Sequence, residues 1–209
     1  RIQNYGTAMS FNGNRNDVDA SNGGNRVYGC HLSRIGNISN PDLNPSTAAI
    51  RFVNSDDNVI ANTHFVDIIN TRSSGLLHSV YVAHMSDRNR IERNRFVRNS
   101  GDPVRLRDIS NDNIINDNRF IQSGIEAGYT DWYCDHDVRD DCTKPEPECP
   151  SWNNQFRNNE LDGDYLCGQL GTFHYFQGEQ TTGCTPPNPE ARRLRTSGNE
   201  QIIPGCQGE

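Results

Sequence analysis

The chain has 209 residues and a formal net charge of -7, with 33% hydrophobic residues and a mean hydropathy of -0.83. That length supports one sizeable core, yet the composition is too polar for thick apolar helices, and no apolar run approaches the roughly 18 residues of a membrane span. The acidic balance argues against a nucleic-acid partner, which calls for a basic surface; Asn, at 26 residues, takes the place of the missing apolar side chains.

Residues 1–24 read as the later part of a repeat whose first half is absent. Ile2 matches the position that Phe96 holds further on, and the alternation from Ala8 to Phe11 matches Val80 to Ala83. A bare strand edge above an apolar interior is costly, so an upstream segment or a second chain is expected over this end.

From Asn25 onward the chain repeats. Asn25, Asn58, Asn89, Asn113 and Asn154 align at spacings of 33, 31, 24 and 41. Two residues on stand Val27, Ile60, Ile91, Ile115 and Phe156; five on, Cys30, Thr63, Asn94, Asn118 and Asn159; seven on, Leu32, Phe65, Phe96, Phe120 and Leu161. The segments between are short and alternating, separated by Asn, Gly or Asp, which is the strand signal rather than the helical one. Three short strands per turn with polar corners describe a parallel β-helix of about six coils, all-β, with Phe65, Phe96 and Phe120 stacked inside. Asn suits the corners because it tolerates the left-handed region and bonds neighbouring backbone, and the Asn94–Asn118–Asn159 column predicts a ladder of amides. Cys30 falls in that column, as a buried free thiol.

The third strand of each coil supplies an outward row. Between inward Ile50 and Phe52 stands Arg51, between Val80 and Val82 Tyr81, and between Val104 and Leu106 Arg105; the next outward positions are Val53, Ala83 and Arg107. His78 and His84 flank Tyr81, Asp102 and Asp108 flank the Arg pair, and His174 is expected outward between inward Phe173 and Tyr175. Arginine forks match carboxylates, and a Tyr between two Arg is expected to ionise readily. Tyr81, His84, His78 and Arg105 are therefore the candidate catalytic residues, with Arg51, Arg107, Asp108, His174 and Trp132 as substrate binders. The single Lys, Lys144, lies in a Pro-rich loop and leaves no lysine base on this face.

The Asn-x-Ile-x-x-Asn-x-Phe phrasing between Asn58 and Phe120 resembles the pectate-lyase-like right-handed parallel β-helix proteins, over residues 1 to about 176. That resemblance implies a carbohydrate ligand, since the superfamily holds polysaccharide lyases, glycoside hydrolases, epimerases and non-catalytic adhesins. It specifies a fold and not a chemistry. Eliminative cleavage of a uronic-acid polymer suits the Arg/Tyr/His face. A glycoside hydrolase needs paired carboxylates, and Asp102 and Asp108 have no acidic mate on the coil of Tyr81. A non-catalytic carbohydrate-binding or cell-surface β-helix is the third reading.

The single domain divides into coils over residues 1–127 and last coils with long Cys- and Pro-rich loops over 128–209, acting as a C-terminal cap. Cys134, Cys142, Cys149, Cys167, Cys184 and Cys206 cluster there at long irregular gaps, unlike a zinc site, and read as three disulfides of a secreted, extracellular protein. Asn37-Ile38-Ser39 is the one glycosylation sequon. Asp135, Asp137 and Asp140 offer hard oxygen ligands to a calcium ion, or form an acidic solvated loop; no other cofactor is expected. Trp132 and Tyr133 are a sugar-stacking platform or packing beneath the disulfides.

Overall fold

The computed structural model describes residues 1–134, 148–176 and 184–202. It is all-β, with three parallel sheets that the chain visits in turn. The first holds β1 (Ile2–Gln3), β5 (His31–Gly36), β9 (His64–Ile69), β12 (Arg95–Asn99), β15 (Arg119–Ser123), β18 (Glu160–Asp162) and β21 (Glu200–Ile202). The second holds β2 (Met9–Asn12), β6 (Ala48–Val53), β10 (His78–Ala83), β13 (Val104–Arg107), β16 (Tyr129–Trp132) and β19 (His174–Phe176). The third holds β4 (Arg26–Tyr28), β8 (Val59–Ala61), β11 (Arg90–Glu92), β14 (Ile114–Asn116), β17 (Asn154–Arg157) and β20 (Leu194–Ser197). A small pair, β3 (Asn22–Gly23) and β7 (Ser55–Asp56), and one 3-10 turn at Ser74–Leu76 complete the described elements. No helix among them is long and apolar enough to cross a membrane.

The repeat columns stack in register. Phe65, Phe96 and Phe120 are Cα partners, with ring centroids 4.8 and 4.7 Å apart and nearly parallel planes. Stacked rings bury large apolar areas in a chain otherwise short of them. The corners are built by a two-residue device. Asp57, Arg88, Asp112 and Asn153 adopt φ near 55°, each just before a buried Asn, and one corner later Arg93, Asp117 and Asn158 do the same, while Asn62 precedes buried Thr63. The left-handed residue bends the chain, and the following Asn turns inward to bond the next repeat. Its Oδ1 accepts the backbone N–H of its counterpart: Asn58 to Asn89 at 3.0 Å, Asn89 to Asn113 at 2.8 Å, Asn94 to Asn118 at 2.9 Å and Asn118 to Asn159 at 3.0 Å. These bonds offset the left-handed strain.

Three features differ from the sequence expectation. Met9 to Asn12, not Ala8 to Phe11, pair with Ile50 to Val53 and thence with Val80 to Ala83, a shift of one residue. The chain also repeats once more near its end. Asn199 accepts from Asn159 at 3.0 Å, and β20 and β21 pair with β17 and β18. Cys30 is free as expected but half-buried rather than buried, its amide donating to Thr63 Oγ1 at 3.3 Å. Cys149 and Cys184 form a disulfide, and Cys134 and Cys167 are also disulfide-bonded; Cys142 and Cys206 lie outside the described residues. Asn37, in the sequon, is fully buried with its Oδ1 held by the Thr71 amide at 2.8 Å.

A second ladder runs with the opposite polarity. Asp87 N–H donates to Asp56 Oδ1 at 2.8 Å, Asn111 N–H to Asp87 Oδ1 at 2.6 Å, and Trp152 N–H to Asn111 Oδ1 at 2.8 Å. Burial, reinforced by the Asp56 and Asp112 carboxylates, pushes the Asp87 carboxyl from 3.8 up to about 6 against the pull of the Asn111 amide and Arg88. The folded chain therefore holds this proton more tightly than the unfolded one, and stability is lost as pH rises between 3.8 and about 6. Asp87→Asn keeps the acceptor, as Asn111 does in the next repeat. It is expected to stabilise the protein by about 1–2 kcal/mol above pH 6, with the gain fading toward pH 4, as urea unfolding at both pH values would read.

Candidate functional site

The outward row of the second sheet forms as the alternation predicts. Ser10, Arg51, Tyr81, Arg105, Thr130 and Tyr175 are successive Cα partners, and Asn12, Val53, Ala83, Arg107 and Trp132 form the row beside them. Over it opens a cleft of about 300 Å³ lined by Thr47, Leu76, His78, Tyr81, Arg105, Arg107 and Trp132. Leu76, 61% exposed on the 3-10 turn, and Trp132 supply apolar walls.

His78 reaches this face through a bulge. Three residues before Tyr81, it would point to the opposite side of a regular strand. The Ser79 and Val80 amides, however, both donate to the Pro103 carbonyl, at 3.1 and 2.9 Å. Two residues thus oppose one, which re-aims the preceding side chain. The His78 ring stacks on Tyr81 with centroids 6.0 Å apart and planes 17° apart. Its Nδ1–H donates to the Asp102 carbonyl at 2.8 Å, which leaves Nε2 as the basic atom. Burial, aided by the Arg105 charge, drives its pKa well below the usual 6.5, so the ring is neutral.

Tyr81 is 7% exposed, and its hydroxyl accepts from Arg107 Nη1 at 3.2 Å. Burial raises its pKa above 10 despite Arg107 and Arg105. The expected easy ionisation is therefore reversed: desolvation outweighs two neighbouring cations, and the phenol keeps its proton. Those cations are already engaged. Arg105 donates to Thr130 Oγ1 at 3.0 Å and to Asp102 at 3.3 Å, and its burial lowers its own pKa. Arg107 grips Glu148 through Nε at 2.6 Å and Nη2 at 2.7 Å, with its guanidinium 4.3 Å above the Trp132 ring. Arg51 donates to Ser10 Oγ at 3.3 Å and, among the described residues, has no carboxylate partner.

Other expected site residues lie elsewhere. His84 and Asp108 both take left-handed φ at the ends of their strands, 52° and 53°, and bond each other at 2.8 Å instead of facing Tyr81. With Glu148 they bring their ligand atoms within 4.8 Å. Glu148 already receives Arg107, Arg15 at 3.4 Å and the Cys134 amide at 2.9 Å, and Asp108 receives the Cys149 amide at 3.3 Å. This donor set anchors a loop and opposes a cation. His174 pairs with Tyr129, so it continues the inward row and not the outward one; Tyr175 takes the outward place. Tyr133 is buried with Arg193 5.7 Å from its ring, a packing role. Asp135, Asp137 and Asp140 lie outside the described residues.

Sequence reasoning missed Glu148, Leu76 and Thr47. Glu148 sits in a Pro-rich stretch with no periodicity, and its one signal is the adjoining Cys149. Asp102 also does more than flank the Arg pair: its Oδ1 accepts the amides of Ile125, Glu126 and Ala127 at 3.0, 2.9 and 3.2 Å while its carbonyl sets the His78 tautomer. No family model, curated protein or solved structure matches this chain.

Proposed function

We propose that the three sheets wind as a right-handed, single-stranded parallel β-helix of the pectate-lyase-like kind, and that the Tyr81 cleft belongs to a secreted lyase of acidic, uronic-acid polysaccharides. The observation that carries this reading is the pairing of a neutral His78, with Nε2 as its basic atom, and a protonated Tyr81 stacked on it inside one cleft. β-Elimination needs a base for the proton beside the carboxylate, an acid for the leaving oxygen, and a cation on the carboxylate itself. His78 Nε2 takes the carbon-bound proton. The carbon–hydrogen electron pair becomes the new double bond, the carbon–oxygen bond breaks toward oxygen, and Tyr81 supplies that oxygen's proton. Arg51, with no carboxylate of its own among the described residues, and Arg105 hold the uronate, while Trp132 and Leu76 flank the sugar rings.

The hydrolase alternative has a carboxylate pair in Asp108 and Glu148, but Asp108 is bonded to His84 and Glu148 to Arg107, and neither lines the cleft. Secretion is supported by the disulfide-bonded cysteines. The test is fragment mass across a panel of uronic-acid polymers. Elimination adds no water to the summed products and leaves one unsaturated end per cut; hydrolysis adds one water per cut, and a binding module leaves the polymer whole.

A further inference from the structure

Glu148 comes from a loop, outside every outward row, yet it is 2% exposed and meets the cleft from behind. Its segment is pinned from several sides. The Cys149 amide bonds Asp108 at 3.3 Å, the Ser151 amide bonds Asp131 at 3.1 Å, and Cys149 is disulfide-bonded to Cys184, 35 residues on. We propose that Glu148 is the positioning residue of the cleft and that the Cys149–Cys184 disulfide keeps it there, fixing Arg107 and, through Arg107, the Tyr81 hydroxyl. The catalytic meaning of this assignment rests on the lyase reading above; the assignment itself does not.

The geometry divides one guanidinium between two partners. Nε and Nη2 form a two-bond fork to Glu148, which leaves Nη1 to meet Tyr81 Oη at 3.2 Å. A bidentate fork fixes the plane of the guanidinium as well as its distance, and that plane also lies over Trp132 at 4.3 Å. Without Glu148 the cation beside Tyr81 is unopposed and free to turn. A loop-borne carboxylate loses backbone and side-chain freedom on burial, and a cross-link to Cys184 lowers that cost. The charged and titratable groups around Tyr81 are the stacked His78, Arg105 with its partner Asp102, Arg107 with Glu148, and Arg51 on the adjoining strand.

The test needs no substrate. The Tyr81 phenol is titrated by NMR with 13C-labelled tyrosine, its signal assigned by Tyr81→Phe. It is followed in the unsubstituted protein, in Glu148→Gln, in Glu148→Asp and in the double variant Cys149→Ser/Cys184→Ser. The Tyr81 pKa is expected to rise by about one unit in Glu148→Gln, because the released Arg107 no longer holds its bond to the hydroxyl, and that loss outweighs the removal of the Glu148 charge. A comparable rise is expected in the double Ser variant, and a partial return in Glu148→Asp. An unchanged or lowered pKa in Glu148→Gln overturns the role of Glu148, and an unchanged or lowered one in the double variant overturns that of the disulfide. A double variant that fails to fold likewise overturns the disulfide's part, since the cross-link would then serve the fold as a whole. If these shifts appear in a protein that cleaves no polymer, the lyase reading has failed and the positioning role stands.

Discussion

His78→Gln and Tyr81→Phe are each expected to lower turnover of an acidic polysaccharide by about 10²–10⁴-fold, the range over which one positioned acid or base acts. Both variants should keep the fold. Gln can still donate to the Asp102 carbonyl, and losing one hydroxyl bonded at 3.2 Å costs about 1 kcal/mol. The pH dependence carries the same signature. His78 works as a neutral base, and burial puts its pKa well below 6.5; Tyr81 works as a protonated acid, and burial puts its pKa above 10. The rate should therefore stay level between those values and fall only below and above them. A profile that breaks near pH 6.5 would assign the base to a solvated histidine instead. A Tyr81→Phe enzyme at full rate would remove Tyr81 as the acid.

Asp131→Ala is expected to cost about 3–5 kcal/mol of stability, the range for breaking a buried ion pair. Asp131 is fully buried on the inward row that runs Phe11, Phe52, Val82, Leu106, Asp131 and Phe176. Its Oδ2 accepts Arg193 at 2.8 and 3.1 Å and the Ser151 amide at 3.1 Å, and Arg193 lies 4.5 Å from the Phe176 ring centroid. This ion pair adds a buried side-chain tie to the strand pairings that hold the 184–202 segment. The two halves of the pair should differ with pH. Burial already raises the Asp131 pKa against the pull of Arg193. In Arg193→Met the carboxyl can take up a proton, so that variant's loss should shrink as pH falls. In Asp131→Ala that carboxyl is gone, while the unsubstituted protein gains stability as pH falls through the raised pKa, so this variant's loss should grow. Denaturant midpoints at two pH values read both. Equal pH responses would contradict the assignment of the buried charge.

The repeat was legible because its device is local. A left-handed residue, an inward Asn and an apolar partner two on recur with little variation from Asn58 to Leu161, and the outward row at Arg51, Tyr81 and Arg105 follows from strict alternation between apolar neighbours. The last repeat was not legible. Around Asn199 the apolar columns are taken by Thr196 and Gln201, so one Asn alone carries the signal. The site was legible only in part, because its chemistry depends on burial and on irregular backbone. Nothing in the alternation announces the bulge at Ser79 that carries His78 to the face of Tyr81, or the left-handed turn that takes His84 away. The Tyr81 phenol was expected to ionise easily because two Arg flank it in sequence register; the walls that desolvate it come from an insertion and a neighbouring strand. Glu148 acts across 41 residues on Arg107 from a loop without pattern.

The most direct test of the lyase reading is the ultraviolet absorbance of newly formed unsaturated uronate ends, followed while the protein acts on each of a panel of uronic-acid polysaccharides. Absorbance that rises with the unsubstituted protein on at least one polymer, and stays flat with folded His78→Gln, is the predicted result. Shortened chains without that absorbance, or equal rates in His78→Gln, would contradict it.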